Sequence, residues 1–87
     1  MSADLEALVA EIAAAPHSAA ALTLYALAST LEFEQAGYLF KLVKLRDLSE
    51  PQRLLAYHLM ELMAEGRNRG DEWQQAKARM DALVRAG

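Results

Sequence analysis

Cysteine is absent from the 87-residue chain, so disulfides and thiolate metal sites are excluded and no redox compartment can be read from it. Proline occurs twice and glycine four times. Glycine is too sparse for a phosphate-cradling loop, and two prolines leave long stretches free to be helical. Alternating apolar–polar runs of useful length are missing, so no strand is expected. Aromatic residues make up 7%.

Positive charge is missing from the first half. Residues 1–40 hold five acids (Asp4, Glu6, Glu11, Glu32, Glu34) and no Lys or Arg. Residues 41–87 hold all nine basic residues against seven acids, for a net charge of −3 overall. Such a split favours electrostatic steering of the two halves, or of two chains, against each other. The acidic start lacks the positive n-region of a signal peptide. The longest uncharged run, 12–31, has the length of a membrane span, but Pro16, His17 and Ser18 interrupt it. A buried helix and a cytoplasmic protein are the expectation, with no membrane partner.

Hydrophobic residues are plentiful instead, at 54%. A chain of this length forms one domain, 1–87, and buries only roughly 60–65% of its unfolded surface. Excess apolar content in so small a domain favours an oligomer, most simply a homodimer.

The spacing predicts an all-α bundle of four to five helices. In 3–15, Leu5, Leu8, Val9 and Ile12 fall on one helix face, Ser2 is placed to cap it, and Pro16 ends it. Ser18 caps the next element. Over about 19–46 either one long central helix or two helices bent near 30–33 is expected: no proline intervenes, and Leu24, Leu31, Tyr38 and Leu45, recurring every seven residues, favour the continuous path. The second half of this stretch carries two apolar stripes, one through Phe33, Ala36, Leu39, Phe40 and Val43 and one through Tyr38, Leu42 and Leu45. A helix apolar on two sides packs against two neighbours. Ser49-Glu50-Pro51-Gln52 reads as a capping box with proline in the first turn, and Gly66 as the left-handed stop of that helix. Asp71, with Gln74 three residues on, reads as the cap of a last helix whose buried stripe is Trp73, Ala76, Met80, Leu83 and Val84.

No residue group forms a catalytic signature, and the chain is not expected to be an enzyme or to hold a cofactor. The leading expectation is a protein–protein interaction module, a small adaptor or regulatory subunit, that associates with itself and with another protein. Its candidate interface residues are Leu24, Leu31, Phe33, Tyr38, Leu42, Leu45, Leu54 and Tyr57. Two alternatives stand beside it. His58 and Glu61, three apart on one helix, offer the edge of a metal or small-ligand site, although the carboxylate–imidazole order is the reverse of that in di-iron bundles and occurs once. Lys41, Lys44, Arg46 and Arg53, within 41–53, could contact nucleic acid; the next helix is acidic on balance and the pI near 5.3 argues against it.

Overall fold

In the computed structural model, which describes residues 3–33 and 40–86, every regular element is helical. The described residues form α1 (Ala3–Ala14), α2 (Ala19–Glu32), a 3-10 helix (Leu42–Asp47), α3 (Glu50–Ala64) and α4 (Gly70–Arg85). Ser2, named above as a cap, and Ala36, Tyr38 and Leu39 of the two expected stripes lie outside the described residues. No described helix is long and apolar enough to cross a membrane.

The apolar periodicity does what it predicts in α1, where Leu5, Leu8, Val9 and Ile12 are all buried. In α2 the i, i+3, i+4, i+7 set Leu24, Leu27, Ala28 and Leu31 is buried as well. These two helices pack together, and α3 and α4 each pack against both. Ala56, Leu59 and Leu62 enter the core from α3, and Trp73, Ala76 and Met80 from α4. Leu83, Val84, Met60 and Met63 are only partly buried around it. A single continuous core results, with Leu48 inserted from the linker that joins the 3-10 helix to α3.

Local capping chemistry is seen at several ends. The Ser18 hydroxyl accepts from the Ala21 N–H at 3.0 Å. Ser49 and Gln52 form the reciprocal capping box, with Ser49 N–H donating to the Gln52 side chain at 2.8 Å. Gly66 adopts φ +72° just past α3, a conformation that costs glycine little. The first turn of α4 differs from expectation. Gly70 adopts φ +90° and opens the helix, so the cap position is Arg69 and carries no side-chain hydrogen bond. Asp71 sits inside the first turn, where the helix dipole rather than a cap bond favours its charge.

A single helix over 19–46 is not formed, and α2 ends within the 30–33 stretch where a bend is the alternative. The backbone leaves helical geometry at Phe33 (φ −115°, ψ 63°), and 42–47 are 3-10 rather than α. The reason lies far away in sequence. Asn68, buried in the α3–α4 loop, donates its Nδ2–H to the Leu31 carbonyl at 2.8 Å. That carbonyl is one that the N–H of residue 35 would claim if the helix went on. Beside it the Trp73 indole N–H donates to the Glu32 carboxylate. A loop side chain thus satisfies the Leu31 carbonyl, and α4 holds the side chain of Glu32 beside it. The seven-residue repeat had no means of reporting this.

Two substitutions separate the long-range cap from the local one. Asn68→Ala leaves the Leu31 carbonyl without its partner in a buried place and is expected to cost about 1–3 kcal/mol. Ser49→Ala, at an exposed helix start, is expected to cost about 1 kcal/mol. Urea unfolding checks both, as lower midpoints at unchanged slope.

Candidate interaction surface

Of the residues expected at an interface, Tyr38 lies outside the described residues and the other seven divide into three groups. Leu24 and Leu31 are buried inside the chain's own core. The expectation that they meet a partner is corrected, because α2 spends that face on α1, α3 and α4. Leu45 is half-buried against the core from the 3-10 helix. Phe33, Leu42, Leu54 and Tyr57 are exposed, at 52%, 70%, 51% and 45%. Leu22 and Val43 join them at 42% and 55%, and neither figured among the expected interface residues. Leu22 is three residues before Tyr25 and escapes notice in a stretch that is apolar almost throughout.

The 3-10 geometry sorts its own residues. With about three residues per turn, side chains three apart stack into ridges. Leu45 and Leu48 follow one ridge inward. Lys41, Lys44 and Asp47 follow another and line one side of a cleft of about 430 Å³, where Lys44 and Asp47 approach to 3.7 Å. The far wall is Ala19, Leu22, Thr23 and Ala26 of α2, and Phe40 borders the cleft. Leu42 and Val43 stand on the same short helix with most of their surface in water. Exposed apolar residues that are contiguous, unlike scattered ones, mark contacts.

The alternative sites are not assembled. His58 Nδ1 lies 3.2 Å from Asp4 Oδ1 on α1, so its near partner is that acid rather than Glu61. Among the described residues no three His, Asp or Glu side chains converge as metal ligands. Of the cations in 41–53, Arg53 turns back to donate to the Leu48 carbonyl at 2.9 Å and so tethers the 3-10 helix to α3.

Three acids of α1 find polar partners on the later helices. Besides Asp4 and His58, Glu6 faces Arg79 at 3.8 Å and the Gln52 side chain donates to Glu11 at 2.8 Å. Exposed pairs of this kind are worth about 0–1 kcal/mol each, enough to bias orientation and little more.

One polar cluster went unforeseen. Lys77 is four residues after Trp73 and three before Met80, which puts it on the buried face of α4. Its side chain is only 7% exposed, and its ammonium donates to Asp81 Oδ1 at 2.6 Å. The Tyr25 hydroxyl donates to the same oxygen at 2.6 Å. The ammonium also lies 4.7 Å from the Tyr25 ring centre and 5.9 Å from that of Phe33. Burial raises the pKa of the Tyr25 hydroxyl, and its hydrogen bond to Asp81 adds to the rise. For Asp81 burial also pushes upward, but the hydrogen bonds from Lys77 and Tyr25 and the charge of Lys77 outweigh it, leaving the carboxyl below its usual 3.8. The cluster is closed on itself and makes a structural strut between α2 and α4, not a reactive centre.

Compared with known protein families, curated proteins and solved structures, the chain matches none of them. Function therefore has to be argued from its own surface.

A carboxyl held below 3.8 in the folded state contributes stability that is present above pH 3.8 and is lost as the pH falls through the folded value. Asp81→Asn is expected to cost about 1–3 kcal/mol near neutral pH, because it leaves the buried ammonium without its counter-charge. The gap between variant and parent should close below pH 3.8. Urea titrations at neutral and acid pH measure it; a gap that stays constant with pH would remove Asp81 as the titrating group.

Proposed function

We propose that this chain is a protein-interaction module, a small helical adaptor or regulatory subunit, that associates with a second copy of itself through the apolar surface around the 3-10 helix. One observation carries the reading: Leu42 and Val43, adjacent in sequence, expose 70% and 55% of their surface on a short helix that also borders an apolar cleft. Nothing in folding the monomer requires that exposure. Covering a Leu or Val side chain fully contributes about 1.5–3 kcal/mol relative to leaving it in water. Two copies that hide these residues gain this at both ends of the contact.

The hydrophobic excess of the composition supports the same view. The core takes up the apolar faces of α1 and α2, yet Leu22, Phe33, Leu42, Val43, Leu54 and Tyr57 remain outside it. The cleft beside the 3-10 helix offers apolar surface from Ala19, Leu22, Ala26 and Phe40, which supports binding as the use of this face.

Sedimentation equilibrium over a wide concentration range tests the proposal. The parent chain is expected to form dimers. Leu42→Ser combined with Val43→Ser should weaken self-association at least about tenfold, the equivalent of about 1.4 kcal/mol. Helix content should be unchanged by circular dichroism, since neither side chain is in the core. A parent chain that stays monomeric throughout overturns the proposal.

A further inference from the structure

The outward face of α3 bears an apolar pair of its own. Residues 50, 54, 57 and 61 succeed each other by four, three and four, which aligns them in one stripe along a helix. All four are exposed: Glu50, Leu54, Tyr57 and Glu61. The apolar pair is thus bracketed by two carboxylates, and neither makes an ion pair among the described residues. It has the form of an acidic amphipathic helix with its apolar stripe turned to water.

The cleft beside the 3-10 helix has the opposite character. Ala19, Leu22, Ala26 and Phe40 give it apolar surface, and Lys41 and Lys44 stand along one side. Lys41 makes no ion pair among the described residues. Lys44 shares Asp47 at 3.7 Å with both side chains well exposed, a contact of little worth in water. The two lysines are three residues apart on a 3-10 helix, about 6 Å along its axis, so together they can flank one carboxylate of a docked helix.

We infer that the exposed stripe of α3 in one copy docks in the α2–3-10 cleft of a second copy, and that the contact is made twice around a twofold axis. Leu54 and Tyr57 enter the cleft, and Glu50 or Glu61 comes to rest beside Lys41 and Lys44. A reciprocal arrangement covers the α3 stripe and the cleft at once and sets α3 of the second copy against the 3-10 helix that carries Leu42 and Val43, and closed twofold pairs are the commonest way for a chain to complement itself. Complementary charge at such a rim sets partner and orientation, while the apolar pair supplies affinity. This inference rests on the self-association proposed above and adds the two surfaces that meet.

Charge exchange tests it in the full chain at low salt. One variant carries Lys41→Glu and Lys44→Glu; the other carries Glu50→Lys and Glu61→Lys. Each alone sets like charges against each other at both contacts, and each is expected to self-associate at least about tenfold more weakly than the parent. Mixed together, every cleft again meets a stripe of opposite charge, so a one-to-one heterodimer should form with affinity near that of the parent. The chain bearing all four substitutions should regain self-association. Because Glu50 lies in the first turn of α3, where a lysine opposes the helix dipole, Glu61→Lys alone serves as a second variant should the double one lose helicity. A parent dimer whose strength ignores these exchanges, or a mixture no tighter than its components, overturns the inference and leaves self-association standing through another surface. A mass that climbs past two chains overturns the reciprocal closure. A parent chain that is monomeric at all concentrations instead removes the reading on which the inference rests.

Discussion

The carboxyl end of α2 is tied to residues that arrive half a chain later, and much else follows from that knot. Asn68 satisfies the Leu31 carbonyl and Trp73 donates to Glu32. A helix end inside a fold leaves carbonyls that must find donors. Here no basic residue lies in the last turn of α2; the Leu31 carbonyl takes its donor from the α3–α4 loop, and the Glu32 side chain takes one from α4. Once they are engaged, α2 stops, Trp73 is set into the core, and α4 lies in the register that brings Lys77 and Asp81 to Tyr25.

Polar groups inside so small a body are tolerated because they are paired. Thr23, Ser29, Asn68 and Lys77 are buried, and among the described residues no buried side-chain nitrogen or oxygen lacks a partner. Lys77 is the most demanding of them. Its ammonium has a carboxylate and two aromatic faces around it, so the charge is neutralised close to where it is desolvated. The acids of α1 meet His58, Arg79 and Gln52 nearer the surface. Lys41 beside the 3-10 helix, and Glu50 and Glu61 on the outer face of α3, make no ion pair among the described residues, and Lys44 has only the exposed Asp47. Those two elements are also where Leu42, Val43, Leu54 and Tyr57 face water. The coincidence of unspent charge and uncovered apolar surface, on two elements and with opposite sign, is what the proposed self-association draws on.

Part of this architecture was legible from residue spacing. Pro16 separates α1 from α2, and Ser18, Ser49 with Gln52, and Gly66 mark helix ends by interactions spanning no more than a few residues. Exposure on α3 at Leu54 and Tyr57 was legible too, since both lie off the stripe that Ala56, Leu59 and Leu62 bury. The interface expected from the heptad at Leu24 and Leu31 was misplaced. A seven-residue recurrence states which residues share a helix face; it does not state whether a neighbour in the same chain or in another will cover it.

The sequence by itself determined the helical class, the inward face of α1, and those helix ends whose capping partners are adjacent along the chain. Their causes are local: backbone restriction at proline and glycine, side-chain caps and the 3.6-residue period. Only the tertiary structure decided that Asn68 closes the end of α2, that 42–47 winds as a 3-10 helix, that Lys77 turns inward to Asp81, and which apolar residues stay outside. Each of those depends on a donor, a counter-charge or a packing surface that is distant along the chain, Asn68 being 37 residues from Leu31. Such partners are brought together only when the core closes.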